Sequence, residues 1–339
     1  MQEQIIAPYQ LDPAWLIAAS SFLVDRAKPD CERIRLPAKE VPGGLLTFGR
    51  GPLLPPQDTG RLAKLRTISR QIRKPVVLPH ENVFDLRRYN PGNWAHFLNN
   101  HLPVVFTVCS ELQIDPSEAL LILPADIPGY INKAALTLGF DTLVTDDALT
   151  GDGISHDVVP WMGIRAKRAR AVDIPFVRAA LDRIDAEPTD MALPARVFLS
   201  RRDTRALLNE AQVADWLAAR SFITVYPEDF SPADQIRLFR QTEIMVAVHG
   251  AGLAPLLYTQ YGGRLRQLVE ILHAGHMTDV YRVMAHQVGC DWIGVRGRLK
   301  PEYIHPAYEF DQTFRAYSLD NFEVDLAALE EAFAIAGIT

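Results

Sequence analysis

After residue 195 the chain alternates between unbroken apolar runs and amphipathic stretches at short, regular intervals. Residues 196–200, 222–226, 244–248, 266–272 and 292–295 are apolar runs of strand length, which suits strands buried on both faces of a sheet. Between them the sequence marks helices. Asn209 opens one that runs to about residue 220, with Gln212 at capping-box spacing. Ser231-Pro232-Ala233-Asp234 opens the next with a capping serine, a first-turn proline and an acid at the third position. Residues 253–258 read as a short helix and 281–288 as another. Strand and helix alternating in this way imply a parallel sheet with right-handed crossovers.

Upstream the rhythm is looser. The first 70 residues carry Pro37, Pro42, Pro52, Pro55 and Pro56 among glycines and read as an irregular entry segment of short strands and loops. Short strands follow at 76–78 and 83–85. Residues 93–109 then place Trp94, Phe97, Leu98 and Leu102 on one helical face. Apolar strands at 119–123 and 142–145 bracket a helix at 129–138, a first α/β unit. The polar segment Glu187-Pro188-Thr189-Asp190 separates it from the second. The expected fold class is therefore α/β, with two Rossmann-like domains facing across a cleft. The first spans 1–185, the second 186–305, and a helical tail covers 306–339. A chain of 339 residues is long enough for two cores of ordinary size.

Composition narrows the partners. With 48% apolar residues and a net charge of −6 spread without long blocks, the chain reads as a soluble globular protein. It lacks the basic face that nucleic-acid binding requires. Four cations between Arg165 and Arg170 form the richest basic stretch, which reads as a solvated helix face and leaves room for peripheral contact with a membrane. Cys31, Cys109 and Cys290 are odd in number and far apart, which suits neither a disulfide framework nor a metal site. The start of the chain shows no basic and apolar leader pattern, and no apolar run approaches ~18 residues, so a cytoplasmic location is expected.

The strongest chemical signal is the strand 244–248 running through His249-Gly250-Ala251-Gly252-Leu253 into a helix. Residues without a β-carbon let backbone N–H groups approach a diphosphate at a helix N-terminus, and His249 sits where it can donate to phosphate or nucleoside. The segment lacks both the third glycine of the dinucleotide fingerprint and the P-loop lysine, and tight turns also use glycine for steric reasons alone. Ser200-Arg201-Arg202-Asp203 follows another strand, where parallel sheets bind ligands. Arg201 or Arg202 suits a diphosphate clamp; the alternative is surface pairing with Asp203 or Glu210. Glu270 lies inside an apolar strand, where a carboxylate needs partners, either a ribose diol or an arginine such as Arg264 or Arg266. Glu228 is a second acid at a strand end. His273 and His276 have metal-like spacing without a third ligand, and Asp146-Asp147 reads as a turn, so no metal site is expected. A Gly-x-Ser-x-Gly elbow is absent from the sequence.

Taken in order, Ser200-Arg201-Arg202-Asp203, Asn209-Glu210, Tyr226-Pro227-Glu228, Gln235-Ile236-Arg237-Leu238-Phe239, His249-Gly250-Ala251-Gly252-Leu253 and Val269-Glu270 resemble glycosyltransferase family 61. The resemblance covers roughly residues 75–295 and implies a GT-B fold, an inverting mechanism and a UDP-sugar donor, with no required cofactor or essential metal. It also suggests a final helix, 324–338, returning to the first domain. The implied acceptor is a hydroxyl on a cell-surface polysaccharide, glycan or glycolipid, as for the family's bacterial capsule enzymes. In the first domain Asn93-Trp94-Ala95-His96-Phe97 resembles the family's Asn-x-x-His-aromatic motif, followed by Leu102-Pro103. It makes His96 the candidate base, with Asn93, Asn100 and His101 beside it on the acceptor side. Many relatives carry an acid where Asn100 stands. That departure keeps open a noncatalytic glycan- or nucleotide-binding protein. A dinucleotide-dependent oxidoreductase is disfavoured by the incomplete fingerprint.

Overall fold

The computed structural model describes residues 2–19, 31–53, 76–78, 81–88, 90–156, 175–189, 193–298 and 319–339. The basic run 165–170 lies outside them. The chain forms two compact units: Met1–Tyr9 with Val41–Glu187, and Gln10–Glu40 with Pro188–Thr339.

The first stretch supplies β1 (Gln2–Ile6), β2 (Tyr9–Leu11), β3 (Ala14–Ala19), β4 (Cys31–Leu36), β5 (Lys39–Val41) and β6 (Gly44–Pro52). The middle adds β7 (Val76–Val77), β8 (Asn82–Asp85), β9 (Ala119–Leu123), β10 (Asp141–Val144), β11 (Leu149–Thr150) and β12 (Asp152–His156). The last adds β13 (Arg196–Leu199), β14 (Ile223–Val225), β15 (Ile244–Val248), β16 (Gln267–Leu272) and β17 (Asp291–Arg296).

The first unit holds a six-stranded sheet in the order β1-β6-β12-β8-β9-β10. Its β12-β8-β9-β10 portion is parallel, and β6 runs antiparallel to both its neighbours. Helix α1 begins at Trp94–His96, widens into a π-helical turn over Phe97–His101 and continues as Leu102–Glu111. Helix α2 (Gly129–Thr137) joins β9 to β10, as the apolar spacing predicts, and α3 (Pro175–Ala186) follows β12.

The second unit is a seven-stranded sheet ordered β14-β13-β15-β16-β17-β3-β4, parallel throughout except for the β3–β4 pair. Helices α4 (Glu210–Ala218), α5 (Pro232–Gln241), α6 (Val280–Val288) and α7 (Leu326–Ala336) accompany it. On one face Phe198, Val246, Val269 and Ile17 pack with Val213 and Leu217 of α4 and with Leu329 and Phe333 of α7. Burial of side chains this size contributes roughly 1.5–3 kcal/mol each, so both the N-terminal strand and the C-terminal helix belong to this core.

Two expectations change here. Residues 10–40 are not an irregular entry to the first domain; they supply β3 and β4 to the second. Ala14–Ala19 is apolar because it is an interior strand, next to the edge strand β4 and hydrogen-bonded on both sides. The closing helix α7, expected to return to the first domain, belongs to the second unit and packs on β3, β4 and β17. Ser231 caps α5 as predicted, accepting from Asp234 N–H at 3.2 Å. Asn209 sits at the start of α4, but its amide is spent elsewhere: Nδ2 donates to Val324 O at 2.8 Å, and Oδ1 accepts from Val324 N–H at 3.2 Å. It ties the segment entering α7 to the unit. Among the described residues no helix is long and apolar enough to cross a membrane.

Candidate functional site

The carboxyl ends of β13, β15 and β16 gather most of the residues singled out in the sequence. Strand β15 ends at Val248, and after His249 and Gly250 a 3-10 helix starts, Ala251–Tyr258, in a form consistent with Pro255 lying inside it. Arg201 lies across this turn. Its Nη1 donates to His249 O at 2.9 Å, while Nε and Nη2 reach Asp203 Oδ1 at 2.9 and 2.7 Å. A β-carbon on Gly250 would stand 2.1 Å from Arg201 Nη1, so the glycine makes room for the guanidinium. Gly252 likewise clears the Pro227 ring, 2.7 Å from where its β-carbon would be. Tyr281 fixes the turn from the other side, donating to Gly250 O at 2.6 Å. The first N–H groups of the 3-10 helix have no acceptor within it, beside a cation already positioned. Leu253 is core.

A residue that sequence reasoning passed over completes this cluster. Arg205 is half-buried with φ at +62°, and its Nε is buried with no hydrogen-bond partner among the described residues. Burial, then the like charge of Arg201, holds its pKa below the usual guanidinium value, with Tyr281 and Asp203 acting the other way. The signal was available as a third arginine four positions after Arg201. Arg202 goes elsewhere: it stacks on Tyr226 at 3.7 Å and pairs with Asp229 through two hydrogen bonds of 2.6 and 2.8 Å. Glu228 touches the same guanidinium at 3.4 Å. Ser200 hydrogen-bonds Glu210, whose carboxylate also accepts from Tyr226 Oη at 3.0 Å. Ser200, Arg202 and Glu228 thus brace the β13 and β14 loops, while Arg201, paired with Asp203, and Arg205 lie at the turn after β15.

Glu270 is 0% exposed and both its oxygens are taken. Oε1 meets His249 Nδ1 at 2.5 Å, and Oε2 accepts from Trp292 Nε1 at 2.6 Å. The indole reaches that far because residue 294 is glycine, where a β-carbon would lie 2.5 Å from the Trp292 ring. The partners expected for Glu270, a ribose diol or an arginine, are replaced by these two. The contact with the carboxylate places a proton on Nδ1, which leaves Nε2 as the nitrogen facing away from Glu270. The His249 ring lies 5.1 Å from that of His276 and 5.5 Å from that of Tyr281.

His273 is fully buried, and its Nδ1 accepts from Gly275 N–H at 2.9 Å. Burial first, then Arg205 and His276, depresses its pKa to about 4, so it is neutral at ordinary pH. Among the described residues no three His, Cys, Asp or Glu side chains converge as metal ligands.

In the first unit Asn93 caps α1, its Oδ1 accepting from His96 N–H at 3.1 Å. His96 is partly exposed, and burial lowers its pKa. Asn100 lies 3.0 Å from His96, Nδ2 to Nδ1. With Nδ2 toward the ring, Nδ1 accepts and Nε2 carries the proton; with Oδ1 turned to it, Nδ1 carries the proton and Nε2 is the accepting nitrogen. His101 is buried, and Asn99, 1% exposed, has no partner for either amide atom among the described residues. A π-helical turn that buries three consecutive polar side chains is a recurrent mark of functional helices.

Residues 94–265, half of the chain, match the family described as Glycosyltransferase 61. The human and chimpanzee proteins named protein O-linked-mannose beta-1,4-N-acetylglucosaminyltransferase 2 are each 30% identical to this chain over 146 residues. The mouse protein of that name is 28% identical over the same length. Each match covers 40% of this chain and 25% of the relative, so the chain spans about a quarter of the length of these relatives.

Proposed function

The chain belongs to glycosyltransferase family 61, and from that premise we propose that it moves a sugar from a UDP-linked donor to a hydroxyl of a surface glycan or glycolipid, inverting the anomeric carbon. The observation that carries the donor assignment is the pair Arg201 and Arg205 at the β13 and β15 ends. A half-buried arginine without a described carboxylate partner beside a second arginine is costly unless an anion joins them. The diphosphate of UDP is that anion. Arg201, Arg205 and the N–H groups from Ala251 onward stabilise it as the bond to the sugar breaks, which is where charge develops. His249, oriented by Glu270, accepts from a ribose hydroxyl or the uracil N–H through Nε2. Ser200, Arg202 and Glu228 hold the loops.

The acceptor oxygen attacks the anomeric carbon as the diphosphate departs, and His96 Nε2 takes the hydroxyl proton. Asn100 orients the base when its Oδ1 faces Nδ1, though an amide lacks the charge with which a carboxylate would stabilise the imidazolium. The GT-B arrangement of two nucleotide-type domains is part of this proposal, as is a reaction in the cytoplasm or at the inner face of the membrane. The names of the relatives make UDP-N-acetylglucosamine the first donor to assay.

The test separates binding from turnover. Arg201→Gln and Arg205→Gln should each weaken UDP about tenfold or more by calorimetry, the scale of a charged hydrogen bond. Arg202→Gln should leave UDP affinity within about twofold. His96→Ala should keep UDP binding and lose transfer. Equal UDP affinity in all three arginine variants would overturn the donor site.

A further inference from the structure

At the opposite, amino-terminal end of the second unit's sheet lies a cavity of about 350 Å³ that the chemistry above does not use. Ligand pockets span roughly 300–1,000 Å³, so this one has room for a single ring rather than an oligosaccharide. It opens where β3, β16 and β17 begin, between α6 and the end of α7.

Two of its lining residues are arginines that make no ion pair with a described carboxylate. Arg35 is exposed and lies over the Trp15 ring, 4.7 Å from its centroid. Arg282 is 5% exposed; its Nη2 donates to the carbonyls of Asp12 at 2.5 Å and Pro37 at 2.9 Å, while Nε is buried with no partner among the described residues. Burial lowers the Arg282 pKa, and the like charge of Arg35 adds to this against the opposing pull of Asp279 and Asp12. An anion between them relieves both costs. The rest of the lining is mostly apolar, with Asp12, Gln267, His286 and Asp291 as its polar side chains. Gln267 Nε2 is spent on the carbonyls of Leu268 and Asp291, which leaves Oε1; the Asp291 carboxylate stands beside it, and Asp12 keeps one oxygen, its Oδ2 meeting His286 Nδ1 at 3.1 Å.

We propose that this cavity binds a hydroxylated anion of monosaccharide size, its acid group against Arg35 and Arg282 and its hydroxyls donating to Gln267, Asp12 and Asp291. A sugar carboxylate and a sugar phosphate share that chemistry. The site also communicates with the turn after β15. Trp292 lines the cavity, its Nε1 holds Glu270 at 2.6 Å, and Glu270 holds His249 at 2.5 Å. An occupant that sets the indole therefore sets the imidazole, and this coupling rests on the reading of His249 as a donor-site residue.

Calorimetric titration of the full chain with glucuronate, glucose 1-phosphate and neutral glucose tests the site. One or both anions should bind at millimolar concentration or below, glucose should not, and which anion binds names the source. Arg35→Gln, an exposed substitution whose fold circular dichroism verifies, should weaken the anion about fivefold or more. Failure of both anions, or equal binding by Arg35→Gln, overturns the proposal. For the coupling, UDP affinity is measured with and without saturating anion. A shift of about fivefold in the wild type, lost in Trp292→Phe while the anion still binds, supports it; no shift in the wild type overturns it. If UDP does not bind at all, the donor-site reading fails, and the anion titration still decides the cavity.

Discussion

Arg201 reaches the His249 carbonyl only because residue 250 has no side chain. Gly250→Ala puts a methyl group 2.1 Å from the guanidinium nitrogen, and the arginine must swing away. UDP affinity should fall about tenfold, matching the loss of a charged hydrogen bond, with thermal stability reduced by a smaller proportion; unchanged UDP affinity would show that Arg201 is not the clamp. His273 gives a second test at this scale. Its pKa in the folded protein is about 4, against an ordinary value of 6.5, so between those pH values the unfolded chain binds more protons. Stability contributed by neutral His273 is complete above pH 6.5 and is lost as pH falls toward 4. At about 1.4 kcal/mol per pH unit, the loss amounts to roughly 3 kcal/mol. Melting temperatures of wild type and His273→Gln, compared at pH 7 and pH 4.5, should converge at the lower pH; a constant gap would contradict the assignment.

Helix α1 shows what local sequence patterns carry and what they omit. Trp94, Phe97, Leu98 and Leu102 announce the helix, but a 3.6-residue period gives no hint of the π-helical turn that carries Asn99, Asn100 and His101 inward together. Strands β13, β15 and β16 were legible because they are apolar on both faces. The place of β3 in the second sheet was not, since its pairing with β17 is set by distant contacts that no short window contains. Arg205 was hidden differently: it follows its strand by several residues, on a left-handed backbone that no sequence pattern announces. The Asn100 contact yields a pH prediction. Burial holds His96 below the ordinary histidine value, so the acid limb of kcat/KM should lie below pH 6.5. In Asn100→Asp a carboxylate beside Nδ1 favours the imidazolium, and the limb should move to higher pH. A limb that stays put in Asn100→Asp would remove His96 from the base role.

At the level of the whole molecule the second unit is discontinuous. Its core needs Ile17 from β3 together with Leu329 and Phe333 from α7. A fragment covering 188–339 alone should therefore lack a cooperative thermal transition, since β17 loses its neighbour and leaves an apolar edge unpaired. Adding residues 10–40 as a separate peptide should restore a transition by calorimetry. Cooperative melting of 188–339 by itself would show that β3 is dispensable.

That division between distant stretches has a consequence for biosynthesis. Arg296 at the end of β17 hydrogen-bonds Ala19 at the end of β3 across 277 residues of chain. On a ribosome adding about 5–20 residues per second, β3 emerges tens of seconds before the strand it must join. Through that interval an almost wholly apolar strand has no partner on its β17 side, while the first unit can fold between the two. The β3 segment is therefore exposed to aggregation through that interval, and slow translation should be harder on this protein than on one whose domains are continuous in sequence.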